Sequence, residues 1–553
     1  MKILMITSEV DGIVKTGGLA DFSAALPKAL IKRRHDVRVI MPLYKQAVLP
    51  LPVTHPEVRR KKQTQKSASN VQTNGRKVNH SDRKVKHSDS KDINPSAGLN
   101  AYSLYFNLNY SDRYGCLVHH RHLATSMARQ KAVPLMLVEH HDFFSRDGIY
   151  GDELNSYPDN PLRYAFLCKA ALEQCLSQNW IPDIVHCNDW QTALAPYYLK
   201  EHYLHHPQFK KTKSLLTIHN GDYQGKTDKK WLDSLGIMPD RFTSELMEEY
   251  GRLNLLKCGI MYADAINAVS PGYSQELLAP ETSHNLWHYL NKRKDSFTGI
   301  LNGCDYTLWN PKKDPFIPHH FSSSDMVGKS LCKVALQERM GLAQKHDLPQ
   351  QQDLPLLGLV SRLTAQKGFD YLIPALERLL YEDAPVQLAI LGSGEPDYGS
   401  RLHHLQHRYP HKMSFVNGYD NGLSHLIEAG SDFFMMPSLF EPCGLNQFYS
   451  LAYGAIPIIR ETGGLKDTVV GLDPDHQNVD NATGISFRYP DANSCYQALK
   501  QSISLYQENM GLYVEMQKRA MMQKFTWEKS AKEYEILYKA LIPPRTKRKK
   551  KIS

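Results

Sequence analysis

Two hydrophobic rhythms alternate along this chain. Short apolar runs such as Lys2–Thr7 ("KILMIT") and Asp36–Pro42 ("DVRVIMP") have the length and uniform hydrophobicity of buried strands. Between them, Leu19–Arg34 ("LADFSAALPKALIKRR") spaces its apolar residues as a helix does. "IPDIVHCNDW", "TKSLLTIHN" and "DAINAVSPG" each end an apolar run on polar residues. The rhythm restarts at Leu354 with "LPLLGLVSRLTAQKG", then the helical "FDYLIPALERLLYE", then "VQLAILGSG", "MSFVNGYD", "SDFFMMPS" and "AIPIIRETGG". Buried strands alternating with helices predict an α/β protein with parallel sheets covered on both faces.

The restart predicts two such domains, and 553 residues suit two better than one. The break falls in Asn302–Pro318 ("NGCDYTLWNPKKDPFIP"), rich in Pro, Asn and Asp. The expected division is 1–305, 306–526, a C-terminal helix at 527–542 packing back on the N-terminal domain, and a tail at 543–553.

Charge changes this picture in two places only. The net charge is +10. Residues 56–97 carry +7 and residues 543–553 carry +6, which leaves −3 for the rest of the chain. The first of these pieces is polar, lacks aromatic residues and repeats a heptapeptide, "RKVNHSD" then "RKVKHSD". Both pieces are expected to be solvated and disordered, as insert and tail. Without aromatic residues to stack bases, nucleic acid is not the expected partner. No apolar run reaches the length of a membrane span. The nine cysteines form no CxxC pair, which suits reduced thiols and a cytoplasmic location.

In open parallel sheets ligands lie beyond the C-terminal ends of the strands, so candidate chemistry is sought there. Ser8–Asp21 ("SEVDGIVKTGGLAD") leaves the first strand with Lys15 beside Gly17 and Gly18. Paired glycines let backbone N–H groups approach a ligand, and the helix start that follows favours an anion. A purely structural turn is the competing reading. Asp189 and His219 each follow a strand; singly, each also suits a helix cap or a satisfied core group. Arg362 and Lys367, in "SRLTAQKG", are two cations able to converge on a diphosphate. In "FEPCGLNQ", Glu441 stands at a sharp corner before Gly444, Leu445 and Asn446, whose N–H groups open a helix. "ETGGLKD" offers a further Gly-Gly turn with Thr462. Anion-binding turns on two sheets predict an interdomain cleft for a diphosphate-bearing sugar.

Taken in order, "KTGGLAD", "SRLTAQKG", "EPCGLNQ" and "TGGLKDTV" closely resemble the bacterial glycogen synthases and plant starch synthases. That resemblance, running from Met1 to about Leu541, implies the GT-B glycosyltransferase fold: two Rossmann-like, doubly wound parallel-sheet domains facing a cleft. It implies retaining transfer of glucose from ADP-glucose to the non-reducing end of an α-1,4-glucan such as glycogen, with no metal and no pyridoxal phosphate. It implies Lys15, Gly17 and Gly18 near the donor phosphates and His219 against the donor glucose, with Asp189 matching the Asp of the family's "HDW" element. Arg362 and Lys367 would stabilise the leaving diphosphate, and Tyr419 would stack the adenine. Glu441 would be the essential carboxylate, with Cys443, Gly444 and Leu445 lining the phosphate and sugar site. Asn302 and Lys333 match further donor-site positions. Asn188 and Gln191 depart from the family's histidines, and Asn446 stands where a Thr is common. Two rival readings stand beside it: a degenerate family member that only binds glucan or scaffolds other enzymes, and a glucan phosphorylase, which shares the fold but for whose cofactor lysine the sequence gives no sign.

Overall fold

The computed structural model describes residues 1–48, 101–109, 111–123, 132–152, 155–347 and 353–542. The expected insert at 56–97 and the tail at 543–553 lie outside the described residues.

The first sheet runs, edge to edge, Phe297–Gly299, Ala265–Ala268, Lys213–Ile218, Ile184–Asn188, Lys2–Ile6, Asp36–Pro42, Val133–Glu139, Arg113–Leu123 and Ala101–Asn107. From Phe297–Gly299 to Val133–Glu139 every pairing is parallel. The last two strands pair antiparallel, which corrects the expectation of wholly parallel sheets. Their residues explain the difference. "AYSLYFN" and "RYGCLVHHRHL" alternate polar with apolar positions, as strands with one wet face do, whereas "KILMI" and "IVHCN" are buried almost throughout. The second sheet runs Met413–Asn417, Gln387–Gly394, Leu356–Leu363, Phe433–Met436, Ile456–Arg460 and Ile485–Phe487, all parallel.

Counted in chain order along its parallel part, each sheet follows the 3-2-1-4-5-6 order of a Rossmann domain, the first with one strand more. The order reverses between Lys2–Ile6 and Ile184–Asn188 in the first sheet, and between Leu356–Leu363 and Phe433–Met436 in the second. Ligands favour these switch points. Arg362 stands near the end of one of these four strands, Leu356–Leu363, and Lys15, Asp189 and Glu441 follow the other three.

The chain crosses between domains twice, side by side. The Cys304 N–H donates to the Phe525 carbonyl at 2.7 Å, and a Cβ on Gly303 would lie 2.5 Å from the Trp527 nitrogen. Beyond this crossing the segment is fixed to the second domain. Trp309 stacks between His425 and Tyr449, each centroid 3.8 Å away, and Asp314 accepts from His425 Nδ1 at 2.7 Å. The helix Trp527–Leu541 lies on the first domain. Tyr538 Oη sits 2.7 Å from His186 Nδ1, Asn267 donates to Tyr534 Oη at 2.8 Å, and Lys32 pairs with Glu528 at 2.9 Å.

Candidate functional site

The loop after Lys2–Ile6 is organised by a residue the sequence reading passed over. Glu9, 3% exposed, accepts from the Thr16 N–H at 2.5 Å, the Thr16 hydroxyl at 2.6 Å, the Gly17 N–H at 3.3 Å and the Tyr150 hydroxyl. Its signal was available: an acid three residues beyond a buried strand, in a segment still buried, must find donors. The helix Gly18–Lys32 starts at the second glycine. Neither Gly17 nor Gly18 has a positive φ, and a Cβ at Gly17 would meet nothing within 4 Å. No packing among the described residues demands Gly17, so what it supplies is room at the cleft surface. Lys15 lies between Asp21 (2.7 Å) and Asp11 (3.3 Å).

Asp189 follows Ile184–Asn188 with φ +55, a conformation rare outside glycine and often found at functional sites. Its Oδ1 accepts from the His219 N–H at 2.7 Å and the Asn220 N–H at 3.4 Å. Burial nonetheless raises its pKa from 3.8 to about 7, against the opposing pull of those two donors. His219 is held neutral, its pKa lowered by burial to about 3. Asn188 sets the tautomer. Its Nδ2 donates to the Ile6 carbonyl at 2.9 Å, so its Oδ1 faces His219 Nε2 at 3.0 Å and must accept from it. His219 therefore carries its proton on Nε2 and its lone pair on Nδ1. The departure at Asn188 is thus a direct partner of the histidine.

Across the cleft, Glu441 is 6% exposed. Its Oε2 accepts from Lys367 Nζ at 2.5 Å and from the Ser438 hydroxyl at 2.9 Å. Gly444 turns the corner with φ +75, and the helix Asn446–Tyr453 follows. The Asn446 side chain donates to the Val360 carbonyl at 2.7 Å, so it braces the helix start against the end of the neighbouring strand. Cys443 is buried, and burial pushes its thiol pKa up, which makes it a wall and not a nucleophile.

Two cavities open from the cleft. One, about 580 Å³, lies against the second sheet and is lined by Ser361, Gly392, Ser393, Tyr419 and Lys15 among others. The other, about 540 Å³, lies against the first sheet and includes Asp189, His219, Asn302, Gln191 and Cys443. They share a wall: Thr16, Gly17, Gly18, Arg362, Lys367, Glu441, Gly444, Leu445 and Asn446 line both. Tyr419, 78% exposed, stands at the margin of the first. In the second, Asn302 Oδ1 and Gln191 Oε1 are buried with no hydrogen-bond partner among the described residues.

Two expected donor-site residues stand elsewhere. Lys333 lines neither cavity. Its ammonium is buried among Asp353 (2.8 Å), Asp432 (2.8 Å), the Leu354 carbonyl (2.7 Å) and Tyr506 (3.1 Å), where it ties the start of the second sheet together. Thr462 also lies outside both; its hydroxyl donates to Glu276 Oε1 of the first domain at 3.0 Å.

Comparison with known proteins agrees with this architecture. The starch synthase catalytic domain model matches residues 2–113 and 100–292, and the glycosyl transferases group 1 model matches 343–514. A glycogen synthase of Aeromonas salmonicida is 38% identical over 97% of this chain and 98% of its own. The chain belongs to the glycogen synthase family. Another family member, from Aliivibrio fischeri (strain ATCC 700601 / ES114), is 37% identical over 98% of this chain and 99% of its own. Among solved structures, the catalytic domain of starch synthase IV from Arabidopsis thaliana, bound to ADP and acarbose, matches with a TM-score of 0.79 at 27% identity. That match covers 98% of this chain and 99% of the plant chain. The fold is GT-B, and the family's activity is glycosyl transfer in glycogen synthesis.

Proposed function

We propose that this family member extends an α-1,4-glucan by moving glucose from ADP-glucose to the non-reducing end with retention of configuration. The observation that carries the proposal is the shared wall. A recess with an exposed aromatic margin and strand-end glycines suits a nucleoside diphosphate. A recess rich in hydrogen-bonding side chains suits a glucan. The groups between them are the two cations, Arg362 and Lys367, and the carboxylate, Glu441. The plant relative's bound ADP and acarbose, a nucleotide and a sugar, fit the same division.

In this scheme Tyr419 stacks the adenine. Arg362 and Lys367 neutralise charge growing on the departing diphosphate. Lys367 already compensates Glu441, so its ammonium spans the carboxylate and the leaving group. Glu441 and the neutral His219 orient hydroxyls of the sugar. The acceptor 4-hydroxyl attacks from the face the diphosphate leaves, and the departing phosphate oxygen takes its proton. The scheme does not use Asp189 and Glu441 as the matched carboxylate pair of retaining glycosidases. Asp189 accepts from its own domain's backbone, and Glu441 is neutralised by a lysine. Protein cations supply the charge stabilisation, so the scheme calls for neither a metal ion nor pyridoxal phosphate. Incubation with labelled ADP-glucose or UDP-glucose and glycogen tests it. Incorporation from ADP-glucose is expected. No incorporation from either donor, or phosphate-dependent release of glucose 1-phosphate, would overturn it.

A further inference from the structure

The Gly-Gly turn after Thr462 lines neither of the two cleft cavities, yet two backbone segments converge on it. From the first domain comes Ser270–Glu276, which follows the strand Ala265–Ala268. Ser270 Oγ donates to the Pro442 carbonyl at 2.6 Å, and the Gly272 N–H donates to Asp467 Oδ2 at 2.6 Å. Glu276 Oε1 accepts from the Thr462 hydroxyl at 3.0 Å and the Gly463 N–H at 2.7 Å. On the other side of the turn, the Gly464 N–H donates to the Glu441 carbonyl at 3.0 Å.

The layers touch so closely that only glycine fits between them. A Cβ on Gly272 would lie 2.4 Å from the Gly463 carbonyl oxygen. One on Gly463, whose φ is +42, would lie 2.0 Å from the Glu441 oxygen, and one on Gly464 2.3 Å from the Cys443 oxygen. The corner that aims Glu441 is therefore backed by the 463–464 turn, and that turn is hydrogen-bonded to the other domain at Glu276, beside the Ser270 and Gly272 contacts. Any separation of the two domains at this point would break these hydrogen bonds.

We propose that Glu276 is a positioning residue: it holds the closed cleft and, through the 463–464 turn, fixes the backbone that aims Glu441. This rests on the reading of Glu441 as the group acting on the donor sugar. Glu276 contacts neither cavity, so its effect must fall on turnover and closure, not on donor contacts. A glutamine keeps the accepting oxygen that Thr462 and Gly463 use; an alanine does not.

The test compares Glu276→Ala and Glu276→Gln with the parent full-length protein. Glucose incorporation from ADP-glucose into glycogen gives kcat and KM. X-ray scattering with saturating ADP gives compactness, and thermal unfolding gives Tm. Expected for Glu276→Ala is a kcat loss on the order of 10²-fold, the scale of a misplaced group, with a small change in donor KM and a larger radius of gyration. Glu276→Gln should restore most of both. Parent-like kcat and scattering in Glu276→Ala would overturn the proposal. So would equal rate losses in both variants accompanied by equal falls in Tm, the mark of a folding defect. If the parent itself transfers no glucose, the functional reading fails, while the scattering comparison still decides whether Glu276 clamps the domains.

Discussion

Asp189→Asn isolates a single charge. Asn tolerates the left-handed backbone that Asp189 adopts at φ +55, and its side-chain oxygen can accept from His219 and Asn220 as the carboxylate does. What disappears is the titration. Asp189 has a folded pKa of about 7 against 3.8 when unfolded. Below the lower value both states hold the proton and nothing is gained or lost. Between the two values the unfolded chain ionises while the native one keeps its proton, so stability falls as pH rises. Above the upper value both are ionised and the loss is complete. About three pH units at roughly 1.4 kcal/mol each give a loss of about 4 kcal/mol. The variant should therefore match the parent near pH 4 and exceed it by up to that amount near pH 8. Urea unfolding of both proteins across this range, followed by the first domain's transition, measures the difference. His186 and His219, whose pKa values burial lowers to about 3, weaken both proteins on the acid side. That contribution cancels in the comparison. A pH-independent difference would refute the reasoning: the carboxylate would then be satisfied by its two donors and ionised at all these pH values.

Glu441→Ala should reduce kcat for glucose incorporation by at least 10²–10³-fold, the scale seen when one electrostatic group is lost, with circular dichroism unchanged; retained activity would remove it from the mechanism. Asn188→Leu removes the acceptor that keeps the His219 proton on Nε2 and should lower kcat; equal rates in Leu and parent would show that the tautomer does not matter. Tyr419→Ala should raise the KM for ADP-glucose by about 10-fold, the equivalent of one base-stacking contact of ~1–3 kcal/mol, while glycogen KM stays constant. A change confined to glycogen KM would place the base elsewhere.

Much of the fold was legible because buried parallel strands advertise themselves as uniform apolar runs. The antiparallel edge was not, since "RYGCLVHHRHL" mixes polarity as a loop or a surface strand would. At the site, each residue placed at the end of a switch-point strand came to the cleft: Lys15, Asp189, Arg362 and Glu441. His219, one strand further on, joined them because the Asp189 carboxylate reaches across to its backbone. Lys333 misled because a lysine in a helix carries no mark of which charges it will meet; here Asp353 and Asp432 claim it inside the domain.

The "TGG" turn shows why motif reading stops short of geometry. Paired glycines at a strand end signal that something comes close, and they do not say what. At Gly17 the close space is open, as a ligand would need. At Gly463 and Gly464 it is filled by the backbone of Glu441 and Cys443, and the neighbouring threonine reaches for Glu276. The same two letters thus admit a ligand on one side of the cleft and a polypeptide on the other. Both uses converge on one carboxylate: the cavities that meet beside Gly17 share Glu441, and the packed glycines fix the corner on which it stands.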